Sequence, residues 1–171
     1  MNVSAADHNR LLPEIDKARK RLSAFAKDGR LLAVYPASIG SKEKPAPSGR
    51  YKVTSVARNP TYTYNPEYRF KGVKATKPFK IKPGPNNPVG VVWINLSLKG
   101  YGIHGTPEPG KIGRTESHGC IRLTNWNAKA LAAIVEKGTD VAFLDKGNDS
   151  GASAAYARSV RGNSGAARRG Q

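Results

Sequence analysis

YGIHGTPEPGKIGRTESHGCIRLTN, residues 101 to 125, holds the chain's only cysteine and two of its three histidines. A lone thiol has no partner for an intramolecular disulfide. Cys120 stands in Ser117-His118-Gly119-Cys120, a turn-like run of small residues followed by apolar Ile121 and Leu123. A thiol becomes a nucleophile when a neighbouring base or cation holds it as thiolate, and His104 and His118 are the imidazoles at hand. An isolated cysteine is most often a small buried hydrophobe. Here a flanking glycine, an adjacent histidine and a second histidine beyond a Pro/Gly-rich loop weigh toward chemistry. Zinc is the competing use of Cys and His, but without a Cys-x-x-Cys or His-x-x-x-His pair four protein ligands are hard to assemble. Neither a metal nor another cofactor is expected.

Three blocks of this stretch, His104-Gly105-Thr106, Ile112-Gly113 and Ser117-His118-Gly119-Cys120-Ile121-Arg122-Leu123, closely resemble the catalytic motif of the L,D-transpeptidases, the YkuD-type cysteine enzymes of bacterial cell-wall cross-linking. Upstream, Tyr35-Pro36-Ala37-Ser38-Ile39-Gly40, the run from Pro47 to Val53 and the run from Pro83 to Gly90 resemble that domain's other segments in the same order, so the similarity covers most of residues 15 to 145. The chain departs from the pattern at Arg122, where many members carry Asn. The resemblance implies a mainly β, YkuD-like fold, a mixed β-sandwich or barrel with one or two short helices and long Pro/Gly-rich loops. It also implies that the donor is a peptidoglycan tetrapeptide stem, cleaved between its L-centre at position three and terminal D-Ala, and that the Gly105 carbonyl orients His104.

On this reading Cys120, as thiolate paired with imidazolium His104, attacks the stem carbonyl and forms a thioester, with His104 serving as general acid and base. Charge growing on the carbonyl oxygen needs donors already aimed at it, and the backbone N–H groups of His118, Gly119 and Cys120 are candidates, with Ser117 and Gly105 in support. His118 is nearer to the thiol in sequence, but residues two apart share a face only in extended chain, so His118 is expected to shape the oxyanion hole instead. Arg122, with its forked donors, suits a stem carboxylate, and Tyr101 is placed beside it as a second substrate contact. Residues around the thiol do not separate transfer to an amine from hydrolysis, as in an L,D-carboxypeptidase. A wall-binding module that has lost catalysis is disfavoured by the intact His104 and Cys120.

Length and composition frame this core. At 171 residues the chain suits one domain with tails, and 18 Gly with 12 Pro favour many turns over long helices. The expected division is a polar extension over 1–14, a catalytic domain over 15–146, and a small, polar, basic disordered tail over 147–171. Net charge is +17, and residues 41–82 alone carry an excess of nine positive charges. Such a surface attracts anionic cell-envelope polymers. Specific nucleic-acid binding is not expected, because no helix-turn-helix, finger or RNP-like motif presents the lysines to bases. Residues 1–14 lack the apolar core of a signal peptide, and no run is long enough to span a bilayer. The resemblance nonetheless implies export to the periplasm or cell envelope, with the leader absent from this chain.

Around the motif, Lys27-Asp28-Gly29 ahead of Leu31, Leu32, Val34 and Tyr35 predicts a hairpin, and Tyr51, Val53 and Ser55 alternating with Lys52, Thr54 and Val56 predict a strand. Residues 59–66 set tyrosines between prolines and read as an ordered surface loop, and the proline-rich Thr76 to Gly90 as a rigid one. Val92, Ile94, Leu96 and Leu98 share one face of a strand with Trp93, Asn95 and Ser97 on the other, and a further strand carries Tyr101 to His104. After the motif, Thr124 or Asn125 is expected to cap a helix striped by Trp126, Ala130, Leu131, Ile134 and Val135 and ended by Lys137-Gly138, before a closing strand from Val141 to Leu144.

Overall fold

The computed structural model describes residues 11–26, 28–41, 44–68, 73–114 and 119–145. The expected tail over 147–171 lies outside them. In chain order the strands are β1 (Leu11–Asp16), β2 (Arg21–Ala26), β3 (Leu31–Pro36), β4 (Ser38–Ile39), β5 (Gly49–Arg58), β6 (Tyr62–Tyr64), β7 (Phe79–Ile81), β8 (Val92–Leu96), β9 (Gly102–His104), β10 (Ile121–Arg122) and β11 (Asp140–Leu144), with helix α1 (Asn125–Ala132) between the last two. Nine of them form one mixed sheet in the order β3-β2-β1-β11-β5-β8-β9-β10-β4. Its two ends, β3 and β4, are consecutive in the chain and separated only by the fully buried Ala37, so the sheet curls back on itself and nearly closes. The mainly β barrel-like fold inferred from the sequence is what the chain adopts.

The inner face is built from residues the alternation selects. Ile15, Leu22, Val53, Ile94, Ile103, Ile121, Leu123, Leu131 and Val141 are each at most 1% exposed and pack as one cluster, each contributing on the order of 1.5–3 kcal/mol. Two pairs run parallel, β1 with β11 and β9 with β10. Parallel neighbours require a crossover, and the one between β9 and β10 is the loop that separates His104 from Cys120.

Several local expectations are revised. The hairpin forms, with Gly29 at φ 89°, but the first strand begins at Leu11, and buried Leu11 and Leu12 belong to the sheet although the polar extension was expected to reach residue 14. In β5 a bulge between Val53 and Ser55 leaves Thr54 as the extra residue, so inward parity passes from Tyr51 and Val53 to Val56. The segment between Pro60 and Pro66 is a strand where it was expected to be a loop. The alternation Tyr62-Thr63-Tyr64 pairs with β7 in a separate ribbon and buries Tyr64, so aromatic β-propensity prevails over the flanking prolines.

Helix α1 is capped by Thr124, whose hydroxyl accepts from the Asn127 N–H at 3.2 Å. Its buried face is Ala128, Leu131 and Ala132, continued by Val135, whereas Trp126 is 62% exposed and Ala130 is also exposed. Trp126 and Ala130 each lie two residues from Ala128, about 200° around the helix, and therefore on the far side. The helix stops at Ala132, short of the expected Lys137. Beyond it the chain must rejoin the sheet, with Gly138 N–H donating to Val53 O and Val53 N–H to Thr139 O at 2.7 and 2.8 Å.

Candidate active site

The strands β8, β9 and β10 turn Ile94, Ile103 and Ile121 inward, so the residues between them face the other way. The register sets Trp93 opposite His104 and His104 opposite Arg122, giving a row across three strands on the outer face. Cys120 immediately precedes Ile121 and stands beside Gly102, one same-face step from His104. Sixteen residues of separation in sequence thus become neighbouring positions on a parallel pair. Trp93 closes the opposite side of the histidine: its ring stacks on the imidazole at 5.4 Å with a 20° interplanar angle. Gly102 permits this, since a Cβ there would sit 2.6 Å from the indole.

His104 is only 5% exposed, and its Nδ1 lies 2.6 Å from the Gly105 carbonyl oxygen. A carbonyl can only accept, so Nδ1 carries the proton and the lone pair of the neutral ring is on Nε2. Burial holds the His104 pKa down to about 4; the hydrogen bond to Gly105 opposes this shift, and the Arg122 charge adds to it. Burial also pushes the Cys120 thiol above its usual range, against the Gly102 backbone hydrogen bond and Arg122, which lower it. Its S–H donates to the Gly100 carbonyl at 3.7 Å. Desolvation disfavours the charged form of both groups, so burial works against the expected thiolate–imidazolium pair while the surrounding hydrogen bonds partly oppose that effect.

Arg122 is half-buried, and burial lowers its pKa from the ordinary guanidinium range against the opposing influence of Glu108 and Cys120, while its Nε is buried without a hydrogen-bond partner among the described residues. Gly119 is buried at φ 101°, where a Cβ would press to 3.1 Å from the Tyr101 ring. Cys120, His104, Gly105, Gly119, Arg122 and Tyr101 thus gather in one corner of the sheet, while Ser117 and His118 lie outside the described residues.

Two residues that sequence reasoning passed over help to build this corner. One is Trp93, read only as an outward-facing strand residue. The other is Asn125, read only as a possible cap: its Oδ1 accepts from the N–H groups of Val91 and Thr106 at 3.2 and 3.1 Å, and its Nδ2 donates to Pro85 O at 3.4 Å. It ties the proline-rich loop to the chain just after His104. Cβ atoms at Gly90 and Gly105 would lie 2.0 and 2.2 Å from that Oδ1. Two glycines converging on one asparagine would have been the signal, but only contacts across the fold reveal it.

The buried imidazole has a consequence for stability. An unfolded histidine takes up a proton near pH 6.5 and folded His104 only near about 4. Between those values the unfolded state binds more protons, so stability falls as the pH is lowered through that window, by on the order of 3 kcal/mol. Urea unfolding at about pH 7 and about pH 4 should show a steeper loss in the parent than in His104→Gln. Equal losses would mean that His104 is not held neutral.

Residues 13–142 match the family model of the L,D-transpeptidase catalytic domain, YkuD. Among curated relatives, the "Probable L,D-transpeptidase YbiS" of Escherichia coli (strain K12) is 35% identical over 137 residues, 77% of this chain and 44% of the relative. The "Probable L,D-transpeptidase ErfK/SrfK" of the same strain is also 35% identical over 137 residues, 77% of this chain and 43% of the relative. The chain thus spans less than half the length of either. An L,D-transpeptidase from Mycobacterium smegmatis shares the fold at TM-score 0.60 and 23% identity, covering 79% of this chain and 58% of that one.

Proposed function

The chain belongs to the L,D-transpeptidase catalytic domain family, and on that premise we propose that it transfers peptidoglycan stem peptides through a thioester on Cys120, with His104 as base and then acid. The observation that carries this reading is the Nδ1 hydrogen bond to Gly105, which leaves a basic Nε2 on the same sheet face as the only thiol. As the stem carbonyl approaches, Nε2 takes the thiol proton and Sγ attacks the carbonyl carbon. Backbone N–H groups at the Gly119 turn support the oxyanion, with His118 and Ser117 proposed alongside them. The tetrahedral intermediate collapses, the C–N bond to D-Ala breaks, and the imidazolium protonates the departing amine. An acceptor amine then attacks the thioester, giving a proton to Nε2 as the new amide forms. That proton returns to sulfur.

Starting from neutral partners suits this sequence, because charge separates only when substrate has displaced water and oxyanion donors are in place. The orphaned Arg122 Nε supports a role in holding a carboxylate of the stem, since a ligand oxygen would supply the partner the fold withholds. Tyr101, packed on Gly119, would flank that stem. Peptidoglycan as substrate places the working enzyme in the periplasm or cell envelope; among the described residues no helix is long and apolar enough to cross a membrane.

Incubation with disaccharide-tetrapeptide, read by mass spectrometry, tests the proposal. Cross-linked dimer, or tetrapeptide with an exchanged terminal D-amino acid, is the expected product. Tripeptide alone would make the protein an L,D-carboxypeptidase, and unchanged substrate would remove the enzymatic reading.

A further inference from the structure

The β6–β7 ribbon stands apart from the nine-stranded sheet and is chemically unlike it. In its register Tyr62 with Ile81 and Tyr64 with Phe79 share one face, and Thr63 with Lys80 the other. Tyr64 is 1% exposed and braces Phe79, with ring centroids 5.1 Å apart, yet Phe79 keeps 41% of its surface in water. Val73, on the approach to β7, is 36% exposed. Between and around these apolar groups come Lys74, Lys77, Lys80 and Lys82, all exposed, and among the described residues none of the four is ion-paired.

Lysines alone would serve a dissolved polyanion. An aromatic ring and a β-branched side chain left in water, with exposed lysines interspersed along the same stretch of chain, instead match a surface with anionic headgroups over an apolar interior. We propose that the β6–β7 ribbon is a peripheral docking surface for an anionic phospholipid bilayer, with Phe79 and, from the approach to β7, Val73 entering the acyl boundary while the long lysine side chains, including Lys80 from the opposite ribbon face, carry their charges to the phosphate level. The ribbon is not a loose appendage. The buried Asn87 amide lies 3.2, 3.4 and 3.1 Å from the carbonyl oxygens of Pro60, Ile81 and Lys82, and its Oδ1 accepts from the Val89 N–H at 3.0 Å. That loop is in turn held by Asn125, the residue that ties it to Gly105 and Thr106. Docking would therefore hold the active-site rim in a fixed attitude to the membrane, whatever the reaction performed there.

Co-sedimentation with vesicles of phosphatidylcholine, with and without phosphatidylglycerol, tests this on the full chain. A lysine close to such a surface is worth on the order of five-fold in binding. The Lys77→Gln, Lys80→Gln, Lys82→Gln triple variant should thus lose on the order of 100-fold. A triple variant that removes equal charge elsewhere, Lys99→Gln, Lys129→Gln, Lys137→Gln, should lose only about five-fold or less, since screening confines each charge's reach to its own surroundings. Phe79→Ala should weaken retention in a way that added salt does not mimic, and Val73→Ser, in an exposed position off the ribbon, does the same without touching Tyr64. Equal losses from the two triple variants would overturn the proposal. So would wild-type retention of both apolar variants together with displacement by soluble polyphosphate, because the surface would then be reading anionic polymer rather than lipid.

Discussion

Cys120→Ala is expected to abolish turnover of the tetrapeptide stem, by on the order of 10⁴-fold or more, because the sequence holds no other thiol to form the thioester. Cys120→Ser should fail almost as completely. A serine hydroxyl ionises far less readily than a thiol, so a base matched to the thiol draws its proton poorly. Neither change should unfold the protein: the side chain is small and partly exposed, and its contacts with the Gly100 carbonyl, at 3.7 Å, and the Gly102 backbone are weak thiol hydrogen bonds. Product formation by mass spectrometry, beside a thermal melt of each variant, separates the two effects. Turnover retained in either variant would remove Cys120 as nucleophile, and a collapsed melt would show that the residue holds structure.

Gly105→Ala should give a large loss of stability, although its backbone conformation is open to alanine. The obstacle is steric, for the new methyl would lie 2.2 Å from the Asn125 Oδ1. If Asn125 swings away, the Val91 and Thr106 N–H groups, on residues 8% and 3% exposed, lose their acceptor, at about 1–3 kcal/mol each. If the backbone at 105 moves instead, its carbonyl leaves the His104 Nδ1 and the ring loses its orientation. Either route predicts a destabilisation of on the order of 3–5 kcal/mol, with kcat falling more than KM rises. Adding Asn125→Ala to Gly105→Ala should then cost less than Asn125→Ala costs in the parent, because the clash and the clamp are one interaction. Denaturant unfolding of the three variants measures this coupling, and strict additivity would contradict it.

That His104 and Cys120 come together was legible because the motif crosses a parallel strand pair, whose fixed register carries both onto one face. The surroundings of His104 were not. They depend on Trp93, which reaches His104 from eleven positions earlier through antiparallel register, and on burial that no local pattern encodes. Asn125 was visible as a residue but not as a clamp, since Pro85, Val91 and Thr106 meet it only in the folded chain. The apolar stripe of α1 was misplaced by counting Trp126 and Ala130 as inward from composition, when the heptad-like set Ala128, Leu131, Ala132 and Val135 had the better spacing. In the ribbon, alternation over only three residues in β6 was too short to outweigh two prolines by eye. The strand alternation of β8 needed no tertiary information, and there Val92, Ile94 and Leu96 lie inward as expected.

The account rests on a covalent acyl group at one sulfur. The protein should be mixed with disaccharide-tetrapeptide whose free side-chain amine has been acetylated, so that no acceptor amine is present, then quenched in acid, digested and mapped by tandem mass spectrometry. The predicted result is a disaccharide-tripeptidyl adduct on the peptide that contains Cys120, cleaved by hydroxylamine as a thioester is, and absent from Cys120→Ala. Release of D-alanine with no adduct at Cys120, or with the adduct on another residue, would contradict it.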